Sequence, residues 1–239
     1  TTPKQQIVII DGGPFGKGKT IENYIKYKGK RSVEGIIVSH SDSDHIGGMI
    51  ELVKSNLKIK HAFISKMDSS ENLETFIAVC HAKNIPIHRL TAKDTFILDQ
   101  VNFNMLAPQT KQGDLNNNSL VCLVSYKKFK GLFTGDKEKE SEISVYNKIA
   151  PISILKVSHH GSKTGTDAKL LLKLRPQYAM ISCGINNVYR HPHNEVLMSL
   201  EQCHIPYGRT DLQGAIWITS DGEKMNLYTQ KQQKREEEQ

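Results

Sequence analysis

The chain has 239 residues, 38% hydrophobic, 24% charged and 7% aromatic, with a formal charge of +7 at pH 7. That length can bury one full core, while no apolar run approaches the roughly 20 residues of a membrane helix and no signal-peptide pattern opens the sequence. Cys80, Cys122, Cys183 and Cys203 stand far apart with no CxxC pair, which argues against a cysteine-built zinc site or a disulfide framework. The chain opens without Met, in TTPKQQ, and reads as a mature fragment or excised domain. Residues 1–229 read as one domain and 230–239 as a polar, disordered tail.

Apolar runs of strand length alternate with helix-length segments. Residues 5–10 predict a buried strand ending on Asp11-Gly12-Gly13, followed by a helix over 20–28 and a strand over 35–39. A helix over 46–54, a strand over 62–65, a helix over 71–82 and a strand over 85–90 come next. Residues 96–106 hold two short strands turned near Asp99-Gln100, and 120–126 with 131–134 form a hairpin across 127–130. Then come helix 137–148, strand 152–157, helix 167–173, strand 178–182 and helix 194–203. Strands 215–219 and 225–228 close the chain around the Ser220-Asp221-Gly222 turn. This order mixes hairpins with strands joined by helices. If two such sheets pack on each other, helices can cover only their outer faces, which predicts an α/β fold, a four-layer αβ/βα sandwich of two mixed sheets.

The chemistry sits where strands end. Strand 35–38 runs into Ser39-His40-Ser41-Asp42-Ser43-Asp44-His45, so four metal-capable side chains, His40, Asp42, Asp44 and His45, fall within six residues. Alternate residues 40, 42 and 44 of a loop leaving a strand can point one way, and Gly47-Gly48 lets backbone pass close to them. The carboxylates could instead cap the helix that follows. A second strand ends in Thr134-Gly135-Asp136, where Asp136 is either a functional carboxylate or a helix cap. A third ends in Ser158-His159-His160-Gly161-Ser162, and adjacent histidines after a buried strand are rarely needed for packing. The fourth element is Arg190-His191-Pro192-His193.

Together, the HxDxDH–GG segment, the later TGD and the later HHGS resemble the metallo-β-lactamase superfamily. The segments 9–13, 39–48, 116–121, 133–136, 155–162, 190–193 and 208–215 are similar in wording to the soluble metallo-hydrolase domain of competence DNA-uptake (ComEC-type) proteins. The HSDSDHIGG wording also resembles bacterial phosphorylcholine esterases. Asp42 stands where the superfamily's second motif His would be, and its isolated third-motif His is absent. The stretch before the TGD hairpin offers Asp114 and Asn116-Asn117-Asn118-Ser119 instead. The competence group also carries a strand before its IIDGG strand, so the first strand of the fold is expected either to be missing or to lie in a part of the protein outside this sequence.

The resemblance implies two divalent ions. His40 and Asp42 would hold one, and Asp44, His45 and His160 the other, with Asp136 bridging. His159 would serve as ligand or proton donor, and His191 would shuttle a proton or contact substrate. Asp44, Asp136, His159 and His191 are thus the implied catalytic residues, with Asn116, Asn118, Ser162, His193 and Arg209 contacting substrate. A hydroxide bridging the ions would attack phosphorus. The carboxylate at residue 42 hardens the donor set, so Mn²⁺ or Zn²⁺ is expected.

The implied activity is a phosphodiesterase or nuclease degrading DNA during uptake. Such a domain would be covalently linked to a membrane channel without itself entering the membrane, and would meet DNA outside the cytoplasm; an unlinked chain would be cytoplasmic. The alternatives are a hydrolase of a small or surface-bound ester, such as a phosphorylcholine ester or a lactone, and a metal-poor binding module. Basic segments 17–19, 26–31 and 127–130, with Tyr24 and Tyr27, could track a nucleic-acid backbone or form a solvated positive face. Gly13 to Thr20 satisfies the spacing GxxxxGK[ST], but Pro14 removes one cradle N–H, so a loop is expected there rather than a nucleotide site.

Overall fold

The apolar runs of the first half pair side by side. In a computed structural model that describes residues 1–138, 146 and 149–232, β1 (Val8–Ile10), β3 (Gly35–Val38), β5 (Ala62–Ser65) and β6 (Ile87–Leu90) form a parallel sheet in that order. They belong to the first of two compact units, Thr1–Val121, the second being Cys122–Gln239. Helices α1 (Gly18–Tyr27), α2 (Ser43–Lys54) and α3 (Glu71–Ala82) bridge successive strands. A sheet that grows in one direction through right-handed crossovers carries its helices on one face. Accordingly, α1 packs on α2 and α2 on α3.

Strand β3 is buried along its whole length because both of its faces are covered. Ile36, Val38 and Ile64 of the sheet meet Ile46, Met49, Ile50 and Val53 of α2 and Leu73 and Phe76 of α3. Ser70 caps α3 by accepting from the Leu73 amide, a bond worth about 1 kcal/mol. Phe63 of β5 stacks on Phe96 of β7 (Thr95–Leu98), which stacks on Phe103 of β8 (Val101–Ala107), with centroids 4.2 and 4.8 Å apart. Two short strands, β2 (Ser32–Val33) and β4 (Lys58–Ile59), pair separately.

In the second unit, β9 (Val121–Tyr126) and β10 (Phe129–Phe133) form the expected hairpin. Strands β11 (Ile154–Lys156), β12 (Tyr178–Ile181) and β13 (Tyr207–Arg209) then add in parallel, one after another, beside β10. Helix α4 (Ala168–Leu174) leads from β11 to β12, and α5 (Asn194–Gln202) from β12 towards β13. These two helices pack on each other. A short helix, α6 (Thr210–Gln213), precedes the closing hairpin β14 (Ile216–Ser220) and β15 (Met225–Thr229), on which Trp217 stacks against Tyr228.

Helix α2 begins at Ser43, three residues before the expected start. Asp44 therefore sits in its first turn rather than in a loop, next to His45. The elements the sequence did not announce, β2, β4, β13 and α6, are two to four residues long, below the length at which a period can register. The expected helix over 137–148 falls largely outside the described residues, as do residues 233–239 of the expected tail. All four cysteines are free thiols, and no described helix is long and apolar enough to cross a membrane.

Candidate metal centre

The first donor loop leaves β3 and enters α2. His40 is fully buried, with its Nδ1 3.1 Å from Ser39 Oγ. Its Nε2 is buried without a hydrogen-bond partner among the described residues, 3.5 Å from Asp42 Oδ2. Leaving a buried polar nitrogen unmatched costs about 1–3 kcal/mol, a cost removed when that lone pair binds a cation. Asp42 occupies the N-cap position of α2 yet makes no side-chain capping bond. Its carboxylate faces the imidazole instead. Asp44 is exposed on the first turn of the helix.

His45 is oriented by a residue whose role the sequence reading missed. Asp11, at the end of β1, lies 2.9 Å from His45 Nδ1 through Oδ2. The carboxylate accepts that N–H, which leaves Nε2 as the electron-pair donor. Asp11 also accepts from the Ser39 amide at 2.7 Å and from Ser39 Oγ at 2.8 Å. Burial alone would raise the Asp11 carboxyl, but the charge and hydrogen bond of His45, with the Ser39 amide, hold it below the usual carboxylate range. A second missed residue, Asp68, is buried and accepts from Ser41 Oγ at 2.8 Å, while Asn72 donates to the Ser41 carbonyl. Burial pushes the Asp68 carboxyl up. Only the strand-end position in IIDGG hinted at Asp11, and nothing in the local pattern marked Asp68.

Glycines let the two backbones meet. The Gly12 amide donates to His45 O at 2.8 Å and the Gly48 amide to Gly13 O at 2.9 Å. A Cβ on Gly48 would overlap the Gly12 carbonyl, which is why the donor loop is followed by a glycine pair.

The second donor set lies within the second unit. Asp136 is buried, with its Oδ2 3.4 Å from His160 Nε2 and 3.8 Å from His159 Nε2. His160 Nδ1 donates to the Ser182 carbonyl at 2.7 Å, which turns its Nε2 towards the carboxylate. Both histidines have left-handed backbones, φ 48° and 53°. For non-glycine residues each such conformation costs on the order of 1–3 kcal/mol. His191 packs its ring edge-on to His159, at 5.6 Å, and near-parallel to His160, at 6.5 Å. Burial and then the neighbouring histidines push its imidazole down to about 4, so it is neutral at pH 7.

The expected substrate contacts divide. Asn116 Oδ1 is buried without a hydrogen-bond partner among the described residues. Asn118 differs: its Oδ1 accepts from the Gln112 amide and its Nδ2 donates to the carbonyls of Gln112 and Asp114. These three hydrogen bonds order the 112–118 turn. Ser162 Oγ lies 3.1 Å from Thr164 Oγ1 in its own turn, and His193 Nδ1 accepts from the Lys163 amide at 3.0 Å. Arg209 directs two nitrogens onto Asp211, at 3.1 and 2.7 Å, so its fork is already matched by a carboxylate.

The phosphate-loop spacing is likewise accounted for. The amides of Gly16 and Gly18 donate to Glu51 Oε1 and Oε2 at 2.8 and 2.9 Å. The anion-binding end of α1 is therefore filled by this chain's own carboxylate. Among the basic segments, Lys128 pairs with Glu223 at 2.7 Å and Lys130 donates to the Ile149 carbonyl. Lys28 lies over the exposed rings of Tyr24 and Tyr27, at 5.5 and 5.8 Å.

Among the described residues, donors that could hold metal include His40, Asp44 and His45 in the first unit and Asp136 and His160 in the second. Imidazole and carboxylate without thiolate is a set that accepts Zn²⁺ or Mn²⁺, and the unmatched Nε2 of His40 fits such an ion.

Comparison with known proteins agrees with this chemistry. The chain is 35% identical over 208 residues to ComE operon protein 3 of Bacillus subtilis (strain 168), covering 85% of this chain and 27% of that protein. It is 29% identical over 197 residues to Recombination protein 2 of Haemophilus influenzae, covering 82% and 23%. It therefore spans about a quarter of the length of these relatives. Among solved structures, the metallo-β-lactamase fold protein YhfI from Bacillus subtilis matches with a TM-score of 0.55 at 9% identity, over 87% of this chain and 85% of that one. The family profile described as Metallo-beta-lactamase superfamily matches residues 2–185. This chain belongs to the metallo-β-lactamase superfamily, and its relatives include competence proteins.

Proposed function

We propose that this chain is a metal-dependent phosphodiesterase that cuts DNA, the hydrolytic domain of a competence-type uptake protein. The observation that carries the metal reading is the buried Nε2 of His40, which lacks a hydrogen-bond partner among the described residues and faces the Asp42 carboxylate. The similarity to competence proteins supports the substrate. In the first unit His40, Asp42, Asp44 and His45 would donate to divalent ions, and in the second Asp136 and His160 would, with His159 as a further ligand or proton donor. Divalent ions in such a set lower the pKa of water towards ~7 and neutralise charge on phosphoryl oxygens. Asp42 in place of an imidazole favours Mn²⁺ as the working ion.

The chain's own residues would prepare and hold the reactants. Asp11 fixes the His45 tautomer and the Ser182 carbonyl that of His160. His191, pinned by Asn187 through its amide at 2.8 Å, would touch the scissile group, and Asn116 offers an unmatched amide oxygen. Lys28 with Tyr24 and Tyr27 would contribute backbone affinity and stacking.

The test incubates metal-stripped protein with labelled single- and double-stranded DNA plus Mn²⁺, Zn²⁺ or Mg²⁺, with Asp44→Ala as control. Metal-dependent cleavage that disappears in the control, with DNA affinity falling steeply as salt is added, is the expected result. Two ions bound per chain without cleavage would redirect the assignment to a small ester. No bound metal would leave a binding module.

A further inference from the structure

We infer that the loop from Ser182 to His193, between β12 and α5, is a base-stacking subsite for single-stranded nucleic acid, with Tyr189 as its platform. The inference rests on the DNA reading above and adds to it how the strand is held. Ile185, Val188 and Tyr189 are 75%, 87% and 70% exposed on this one short loop. Large apolar side chains gathered at a loop tip gain nothing for folding and mark a contact surface.

The loop is nevertheless built rather than slack. Asn187 Nδ2 donates to the carbonyls of Gly184 and His191, at 2.9 and 2.7 Å, and its Oδ1 accepts the His191 amide. Thr210 Oγ1 accepts the Cys183 amide at 2.9 Å and donates to its carbonyl at 2.8 Å. Tyr189 therefore presents its ring without a large ordering cost. That ring lies 5.6 Å from the His191 ring at an interplanar angle of 23°, and His191 lies at 15° to His160. The near-parallel planes lead from solvent to the donor histidines of this unit. A planar base is the group that extends such a series.

Charge selects the same occupant. No acidic residue lies between Ser182 and His193, and Arg190 is exposed next to Tyr189. An aromatic platform with a flanking cation suits a base and its phosphate. Bases within a duplex are already stacked, so the site is directed at a single strand.

The experiment measures binding without turnover: fluorescence anisotropy of a labelled oligothymidylate with the metal-free chain in EDTA at low salt. Tyr189→Ala is expected to weaken binding roughly tenfold and Tyr189→Phe less than about twofold. The same oligonucleotide carrying abasic positions should bind wild type about as weakly as the intact strand binds Tyr189→Ala. Equal affinity of Tyr189→Ala and wild type, a Tyr189→Phe as weak as Tyr189→Ala, or no penalty for abasic positions would each overturn the inference. Base-dependent binding without cleavage under any metal would overturn the nuclease reading and leave the subsite standing. Cleavage by wild type with unaltered binding by Tyr189→Ala would do the reverse.

Discussion

The two donor loops are held in place by different means. In the first unit, His40 and His45 are fixed from outside: Asp11 and Ser39 grip their ring nitrogens, and the Gly12–Gly48 contact clamps the backbones. In the second, the aim of His159 and His160 at Asp136 rests largely on two consecutive left-handed residues, with the Ser182 carbonyl holding His160 Nδ1. The first arrangement spreads its cost over many ordinary bonds. The second concentrates it in backbone conformation, which the surrounding fold must hold. Damage to the first loop should thus be graded, whereas damage to the second should be abrupt.

The most severe test of that contrast is Asp136→Ala, which removes the carboxylate on which both histidines converge. Turnover of DNA should fall at least about 100-fold, with an unchanged far-ultraviolet circular dichroism spectrum. Full activity in that variant would remove Asp136 from the centre. Asp11→Asn sharpens the comparison, because it alters only the partner of a donor. Metal affinity should weaken about 10- to 100-fold, measured by titration with Mn²⁺ or Zn²⁺. An unchanged affinity would mean that His45 needs no outside support.

Gly48→Ala addresses the clamp itself. The added methyl must displace the Gly12 carbonyl, and stability should drop by about 1–3 kcal/mol, visible as a lower urea midpoint. The smallest effect is expected at Glu51. Hydrogen bonds from Gly16 and then Gly18 hold its carboxyl below the ordinary range. Its contribution to stability is therefore complete above the unfolded value near ~4.3 and is lost as pH falls through the lowered folded value. Glu51→Gln should flatten that part of the stability profile between neutral and acid pH. A profile identical to wild type would show that the carboxylate adds nothing to the fold.

The sequence made much of this readable, for physical reasons that can be located. His40, Asp42, Asp44 and His45 crowd behind an apolar strand, so a local pattern exposes them. Long helices such as α3 keep a clear period, and its predicted span of 71–82 matches the observed one. Asp11 was read only as the end of a strand, because its partner lies 34 positions along the chain. Asp68 carries its meaning through Ser41, equally out of sequence reach. The left-handed pair at His159 and His160 was also hidden, since nothing in two histidines announces a conformation usually left to glycine. Arg209 and Asn118 show the converse. Both looked available in the sequence, yet both are engaged by neighbours that only the fold brings near.

The carboxylate of Glu51 at the amino end of α1 also bears on what small anions can do to this protein. A free phosphate seeking those amides competes with an occupant attached to the same chain. The tethered group acts at an effective concentration of roughly millimolar or above, so inorganic phosphate at trace levels is outcompeted before it arrives. Replacing Glu51 with an apolar side chain would leave the Gly16 and Gly18 amides without their acceptor, in a segment where Lys19 is already paired with Glu22.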